Sequence, residues 1–258
     1  MIIRSVQWNV GGCHVCETGR DPLLQSSYSV LDVQYVIKQL KKLRPDVVTL
    51  QEIHGNARSN QAEEIAEALG MEFCISDFFS ESHIAPGQNL GLAIMSRFAI
   101  SDHQAVKFNN PRFSGVWAGS SAIVKSHDKG VTSCTIEAGD YYIAVKTLQR
   151  VPMRKFGIDP FSPEGKAVFD DVAARLKDSH TQVLIQGDFN LWKGLPPLSG
   201  LIPELVNGGA HELDQPAPTN PTGEWPDRVI YRGLRPVHSE VISDLLTDHF
   251  PIIVEFEI

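Results

Sequence analysis

The stretch QVLIQGDFN, residues 182–190, decides the fold, because it places polar side chains directly after a strand. Its first part is an apolar run rich in β-branched residues, which indicates a β-strand. Asp188 and Asn190 follow at the point where the chain leaves the sheet. The stretch therefore predicts that a carboxylate and an amide are presented on a rigid sheet edge.

Seven further apolar runs of the same kind predict strands over residues 2–10, 46–53, 90–96, 118–125, 141–148, 227–231 and 251–258. Apolar residues at helical spacing predict helices over residues 29–43, 62–69 and 163–176. Strands and helices do not alternate regularly along the chain. This favours an α/β fold of two packed mixed sheets flanked by helices over a doubly wound sheet.

Composition favours one globular domain, residues 1–258, in the cytoplasm. The chain is 42% hydrophobic and 21% charged, which is enough for a large core. No apolar run reaches membrane-spanning length and no secretory signal pattern follows Met1, so no membrane insertion is expected. The four cysteines are expected to be reduced, and the CHVC segment at residues 13–16 to be loop thiols rather than half of a zinc site.

The formal net charge of -8 argues against broad, sequence-blind binding to nucleic acid, because such binding depends on Lys and Arg replacing counterions along the phosphates. It does not exclude a nuclease. A site that holds several carboxylates for a metal ion adds negative charge to the protein, and the bound cation changes the electric field around the site.

Polar residues also lie at the ends of other predicted strands. Glu52 follows the apolar residues 47–51, Asn9 lies near the end of the first strand, and Asp248 and His249 precede the last one. Carboxylate oxygens suit Mg²⁺ or Mn²⁺, which would neutralise a phosphate and the alkoxide that develops during phosphodiester hydrolysis. Each motif alone also fits a helix cap or a turn, so the ordered set carries the argument.

Five segments spread along the chain make up that set: WN (8–9), LQE (50–52), GDFN (187–190), DRVI (227–230) and TDHFPI (247–252). Together they resemble the endonuclease/exonuclease/phosphatase superfamily, which has the DNase I-like fold. Residues 88–97 also look like a strand of that family. The resemblance implies a four-layered α/β-sandwich with the active site at one end of the paired sheets.

The same resemblance implies roles for individual residues. Glu52 is expected to be the principal metal ligand, with Asn9 and Asp248 close to the ion or its waters. Asp188 is expected to orient or deprotonate the attacking water, and Asn190 to bind a phosphate oxygen.

His249 is expected to contact the phosphate as an acid, a base or a charge stabiliser, while Asp227 holds its ring and raises its basicity.

Two positions depart from the family pattern. Gln149 stands where many members carry a histidine, and glutamine cannot transfer a proton near neutral pH. Such a loss typically costs about 10² to 10⁴ in rate, so the chain either works without this group or is a weakened variant. Gly11 stands where exonuclease III-like and tyrosyl-DNA phosphodiesterase-like members often have an acidic residue.

A basic and aromatic group beside the expected site is predicted to bind substrate; it consists of Arg150, Arg154, Lys155 and Trp192, with Phe156 and Trp225 on nearby loops. A polyanion with stacking bases would use such groups, although solvated loop charges and half-buried aromatics are the alternative. No protein partner is implied.

The favoured function is therefore a Mg²⁺-dependent nuclease acting on DNA or RNA. One alternative is a phosphoesterase of the same fold for a lipid headgroup, an inositol phosphate or a small nucleotide; the absence of an apolar membrane hairpin counts against the lipid. The other is a catalytically silent binding module, against which the retention of every other polar site residue argues.

Overall fold

A computed structural model describes residues 1–116 and 123–258. Their strands are β1 (Ile2–Asn9), β2 (His14–Cys16), β3 (Tyr28–Leu31), β4 (Val47–Gly55), β5 (Phe73–Glu81), β6 (Asn89–Ser96), β7 (Ala99–Lys107), β8 (Ser114–Val116), β9 (Ile123–Lys125), β10 (Gly130–Ala138), β11 (Tyr141–Gln149), β12 (Gln182–Asp188), β13 (His211–Glu212), β14 (Asp227–Arg232), β15 (Arg235–Val241) and β16 (Ile252–Glu257). The helices are α1 (Val33–Leu43), α2 (Gln61–Leu69), α3 (Pro163–Leu176), α4 (Leu198–Leu201) and α5 (Pro203–Asn207). Short 3-10 segments cover Gly11–Cys13, Gln25–Ser27 and Met153–Phe156.

Two six-stranded sheets have the same plan. The strand order is β15-β16-β1-β4-β6-β5 in the first sheet and β13-β14-β12-β11-β10-β7 in the second. In each sheet the two central strands are parallel, β1 with β4 and β11 with β12. Parallel strands need a long crossover connection, and helices α1 and α3 lie within these two connections. The other pairings in both sheets are antiparallel.

The side-chain period of two along a strand sorts the residues into layers. On β1, Val6 and Trp8 point outward to a core shared with α1 and α2, whereas Ile3 points inward to a core between the sheets. The outer face of the second sheet packs against α3 through a third core that contains Phe169 and Val172. The predicted arrangement of two packed mixed sheets flanked by helices is confirmed.

The layer between the sheets changes from apolar to polar along its length. Hydrogen bonds cross it at Ser5 Oγ to Gln186 Oε1 (2.6 Å) and at Gln51 Nε2 to Thr147 Oγ1 (2.8 Å). Each inner-face series runs from apolar to polar: Ile3-Ser5-Gln7-Asn9, Val47-Thr49-Gln51, Ile143-Val145-Thr147-Gln149 and Leu184-Gln186-Asp188. All four series end in polar side chains at the same end of the sandwich.

Most predicted elements are present, with three differences. The helix predicted over residues 29–43 begins at Val33, because Asp32 caps it by accepting a hydrogen bond from the main chain of Tyr35, and β3 precedes it. Four long strands, β5, β7, β10 and β15, were not predicted; much of the surface of the edge strands β7 and β15 is exposed and polar. Of the strand predicted over residues 118–125, the first five residues lie outside the described part and the rest form β9.

The CHVC segment does not form the predicted simple loop. Cys13 lies in a 3-10 segment and Cys16 in β2, and both are buried free thiols. Burial raises the pKa of the Cys13 thiol, which opposes formation of the thiolate that a metal would need. No helix within residues 1–116 and 123–258 has the length and apolar character needed to cross a membrane.

The apolar end of the layer between the sheets is expected to carry much of the stability. Replacing the fully buried Ile136 in the Ile136→Ala variant should lower the free energy of unfolding by about 2 to 5 kcal/mol, as lost burial and a cavity add. Denaturant unfolding measures this. Ile2→Ala removes the same atoms from a side chain that is 49% exposed and should change stability by no more than about 0.5 kcal/mol. Equal effects in the two variants would contradict this account of the core.

Candidate active site

The polar end of the sandwich gathers the residues that the sequence singled out. Strand ends supply four of them, Glu52 lies within β4, and the loop before β16 supplies the remaining two. The set is Asn9, Glu52, Gln149, Asp188, Asp227, Asp248 and His249. Their convergence follows from the pairing of the central strands, because the register sets Gln149 opposite Asp188 and Asp188 opposite Asp227.

Glu52 is placed by an irregularity in its strand. The pairing of β4 with β6 shifts register between Gln51 and Ile53, and Glu52 itself has a positive φ of 55°. A bulge of this kind redirects one side chain, and a non-glycine residue in this region of backbone space is strained. The bulge brings the Glu52 carboxylate to Gln149 across the gap between the sheets.

Gln149 joins three charged groups. Its Nε2 donates to Glu52 Oε1 and, at 3.3 Å, to Asp188 Oδ2, while its Oε1 accepts from Lys129 Nζ at 2.5 Å. The residue in the expected histidine position therefore connects the carboxylates of both sheets.

Lys129 was not predicted as a site residue, because it precedes a strand and carries no motif.

The pKa of Glu52 is set by its neighbours. Burial alone would raise this pKa, but the neighbouring charges of Lys129 and His83 and the hydrogen bond from Gln149 lower it to about 2. Glu52 is therefore ionised at any physiological pH.

Asp188 is linked to two asparagines. Its Oδ2 accepts from Asn9 Nδ2 at 3.1 Å and from Asn190 Nδ2 at 3.0 Å, and its Oδ1 accepts from the main-chain N–H of Asn190 at 2.7 Å. Burial raises the pKa of Asp188 to about 6, with repulsion from Asp227 and Glu52 adding to it and His249 opposing it. The carboxylate is thus poised near neutral pH.

His249 forms a pair with a fully buried carboxylate. Its Nδ1 lies 2.8 Å from Asp227 Oδ2, and Asp227 Oδ1 accepts from Gln7 Nε2 at 3.0 Å. Burial works against a charged imidazole, but the attraction of Asp227 prevails and raises the pKa of His249 well above its ordinary value. Further attraction comes from Asp188 and Asp248. A protonated ring at neutral pH follows.

Asp248 has a free acceptor. Its Oδ1 is buried and has no hydrogen-bond partner among residues 1–116 and 123–258, and burial raises the pKa of this carboxyl, with repulsion from Glu52 in addition. A Cβ on Gly11 would lie 3.0 Å from that oxygen, and Gly11 has a positive φ of 51°. The missing acidic residue at position 11 is therefore explained: the backbone there favours glycine and passes close to Asp248.

The donor set fits a hard divalent cation. The oxygen donors are the Glu52 carboxylate, the partnerless Asp248 Oδ1 and the Asn9 amide oxygen, which accepts a hydrogen bond from Gly11 N at 3.1 Å. In the described parts of the chain no three His, Cys, Asp or Glu side chains form a group that could hold an ion alone. Hard divalent cations such as Mg²⁺ usually bind one or two carboxylates and keep water and substrate phosphate as their other ligands.

Arg150 does not belong to the substrate-binding group in which the sequence placed it. The side chain is 0% exposed; Nε donates to Phe189 O at 2.6 Å and Nη2 to Asn190 O at 3.1 Å, with the guanidinium 4.7 Å from the Phe169 ring centroid. Burial lowers its pKa to about 9, against the attraction of Asp188. Arg150 thus holds the loop that directly follows Asp188 and carries Asn190.

Two cavities open on either side of the site. The first, of about 410 Å³, contains Glu52, Gln149 and Lys129. The second, of about 340 Å³, contains Asp248 and His249. Arg154, Lys155 and Asn190 line both cavities, Phe156 lines the first and Trp192 the second. Trp225 does not line either of these cavities.

The first cavity also exposes two histidines that sequence reasoning missed, His83 and His127, whose rings stack at 4.9 Å between centroids. Burial lowers the pKa of His83 to about 4, helped by Lys129, and burial also lowers the pKa of His127. Both residues lie on loops, where no strand-end pattern marks them.

A family model described as the endonuclease/exonuclease/phosphatase family matches residues 6–249. The chain belongs to this family. Members of the family are hydrolases that act on phosphoester bonds and generally use divalent metal ions. The five segments found in the sequence thus identified the family correctly. A search of curated proteins found no match to this sequence.

Solved structures support the family fold. A family member from Beutenbergia cavernae DSM 12333 has a TM-score of 0.72 at 16% identity, covering 100% of this chain and 72% of that one. ANGEL2, a 2′,3′-cyclic phosphatase solved with adenosine-2′,3′-vanadate, has a TM-score of 0.64 at 15% identity, covering 99% of this chain and 95% of that one. The human Nocturnin catalytic domain with bound sulfate has a TM-score of 0.64 at 14% identity, covering 99% of this chain and 94% of that one. At these identities the likeness concerns the fold alone.

Arg150→Met tests the buried arginine. Removing the guanidinium leaves the main-chain oxygens of Phe189 and Asn190 without donors, which should cost about 1 to 3 kcal/mol for each buried acceptor in denaturant unfolding. Arg154→Met breaks the exposed ion pair with Glu224 and should cost at most about 1 kcal/mol. If both variants unfolded at the same denaturant concentration, Arg150 would not hold the loop.

Asp227→Asn should lower the pKa of His249, because burial remains while the attracting carboxylate is gone. NMR titration of the ring protons measures the shift. When the pKa of a histidine is higher in the folded than in the unfolded protein, the resulting stabilisation is complete at pH values below the unfolded pKa of about 6.5. This stabilisation is lost as the pH rises through the folded pKa. The stability deficit of Asp227→Asn should therefore shrink on going from pH 6 to higher pH, and a deficit that grew would contradict the pairing.

Proposed function

We propose that this chain is a Mg²⁺-dependent nuclease that hydrolyses phosphodiester bonds of DNA or RNA. A phosphodiester resists hydrolysis because its anionic oxygens repel nucleophiles. One observation carries the proposal, a continuous set of hydrogen bonds that links the sheets at their polar end through Glu52, Gln149, Asp188, Asn9 and Asn190. It supplies ionised oxygen donors, a carboxylate poised near neutral pH and fixed amides within one small region.

Glu52, Asp248 and Asn9 would hold the cation. When bound, it neutralises the phosphate and the leaving oxygen as a Lewis acid. Mn²⁺ suits the same oxygen donors. The depressed pKa of Glu52 supports this assignment, since a ligand must be deprotonated to bind.

Asp188 is the group we assign to the attacking water. A general base works best with a pKa near the working pH, and a value of about 6 meets that condition. Asn190 donates its amide both to Asp188 and, at 2.7 Å, to the main-chain oxygen of Arg150. One of these N–H groups turns to a phosphate oxygen when substrate binds.

His249 stabilises the charge that develops on the phosphate. Its Nδ1 is engaged by Asp227, so Nε2 is the nitrogen that serves substrate, and the residue lines the second cavity. A charged imidazole gives a hydrogen bond about twice as strong as a neutral donor would. Products with a 5′-phosphate and a 3′-hydroxyl are expected, as is usual where the family cuts nucleic acid.

Trp192 and Tyr28 in the second cavity are the residues we assign to stacking with a nucleobase, and Arg154 and Lys155 those assigned to the backbone. Cavities of a few hundred Å³ also suit small substrates. A phosphoesterase for a small nucleotide is therefore the second candidate. ANGEL2, a structural neighbour, is described as a 2′,3′-cyclic phosphatase.

Glu52→Gln tests the metal ligand. The substitution keeps the shape and removes the charge, so metal-dependent turnover should fall by at least about 10², the scale of losing one electrostatic catalytic element. Initial rates with Mg²⁺ and Mn²⁺ are measured on single- and double-stranded DNA, RNA, bis-nitrophenyl phosphate, a 2′,3′-cyclic nucleotide and sphingomyelin. The exposed Glu63→Gln is the matched control and should retain full activity. Absence of cleavage across the panel by the unaltered chain would refute the proposal.

Gln149→His tests the departure from the family pattern. If a second acid or base limits the rate, the substitution should raise turnover by about 10² to 10⁴. If Gln149 instead serves by binding Glu52 and Asp188, turnover should fall. Rates measured from pH 5 to pH 9 separate these cases, since a working histidine adds a new titration to the profile. An unchanged rate and profile would remove position 149 from the mechanism.

A further inference from the structure

The cavity on the Glu52 side has walls that the mechanism above does not use. Two loops from different sheets form them: His83 lies between β5 and β6, and His127 lies between β9 and β10. Their rings stack face to face, 4.9 Å between centroids and 26° between planes. The stacked pair therefore connects the two loops beside Glu52, and the space of about 410 Å³ is within the range of a small-molecule site.

Most of the ionisable side chains that line this cavity carry nitrogen donors. They belong to His83, Lys125, His127, Lys129, Arg154 and Lys155. Among the lining residues that the structure describes, Glu52 is the single carboxylate.

Asp128 does not offset the positive charge, although it lies between His127 and Lys129. Its carboxylate is held outside this cavity, where it accepts from Lys107 Nζ at 3.2 Å and Asn110 Nδ2 at 2.8 Å. An imidazole ring offers at least one N–H donor in either protonation state, and a lysine offers three. The walls therefore favour an anion with several acceptor oxygens.

The cavity is continuous with the reaction site. Gln25, Arg154 and Asn190 are shared with the cavity that contains His249. The scissile phosphate of the proposed function lies between Glu52 and His249, at this junction. The cationic cavity is therefore in the right place for the next charged group of the same substrate.

Building on the proposed function, we infer that the cavity lined by Lys125, His127 and Lys129 is a subsite for a terminal phosphate monoester. The preferred substrate is a short nucleotide chain that is cut next to a phosphorylated end. A monoester carries about two negative charges at neutral pH and three terminal oxygens, whereas an internal diester carries one charge. A concentrated group of donors discriminates between them.

Three thymidine dinucleotides test the subsite: TpT, pTpT and TpTp, cleaved with Mg²⁺. One of the two phosphorylated forms should have a kcat/KM at least about tenfold above that of TpT, the scale of one charge-assisted hydrogen bond. In Lys125→Met and His127→Phe this ratio should fall to about threefold or less. Lys125 is exposed, so its substitution does not threaten folding. Lys166→Met, an exposed lysine on α3, should keep the full ratio.

A ratio near one in the unaltered chain would overturn the inference, as would a ratio that both subsite variants leave intact. Calorimetry without metal gives a readout independent of turnover. Thymidine 3′,5′-bisphosphate should bind the unaltered chain at least about tenfold more tightly than Lys125→Met, and equal binding would overturn the subsite. If the dinucleotides and the whole panel stay uncleaved, the proposed function fails, while the calorimetric comparison still decides the subsite.

Discussion

Polar side chains buried between the two sheets impose the constraint on which the rest of the structure depends. A polar group removed from water must find a partner or it costs stability, so Gln7, Gln51 and Gln186 must each meet a partner side chain. Three of these contacts cross from one sheet to the other: Ser5 to Gln186, Gln51 to Thr147 and Gln7 to Asp227. Because they do, these hydrogen bonds hold the two sheets in one alignment, including at the polar end where the candidate site lies.

That alignment explains how distant parts of the sequence act together. Asp227 receives Gln7 from the opposite sheet and holds His249 from a loop, while Gln149 reaches Glu52 across the same gap. Each shifted pKa depends on a neighbour of opposite charge: the pKa of Glu52 is lowered by nearby cations, and the pKa of His249 is raised by Asp227. The contacts that align the two sheets therefore also set the charge states of the candidate site.

Sequence reasoning found the candidate site residues at strand ends and in the loop before β16, and it missed His83, His127 and Lys129 on other loops. Asp188 and Asn190 were recognisable because an apolar strand precedes them, and the central strands β1, β4, β11 and β12 were predicted close to their observed bounds. His83 and Lys129 gave no such signal, since loop positions have no period that fixes where a side chain points. Arg150 was misassigned for a related reason: charge alone predicts exposure, and only tertiary packing shows that a guanidinium binds carbonyl groups inside the protein.

The backbone conformation of Glu52 lowers the stability of the fold at the residue whose carboxylate is proposed to bind a cation. A left-handed conformation in a non-glycine residue costs of order 1 to 3 kcal/mol, and here it occurs in the residue best placed to bind a cation. Selection for heat tolerance alone would favour glycine at this position, since glycine adopts the conformation freely. The same exchange would erase the carboxylate. Laboratory evolution that selects only for stability at position 52 is therefore expected to remove the proposed activity.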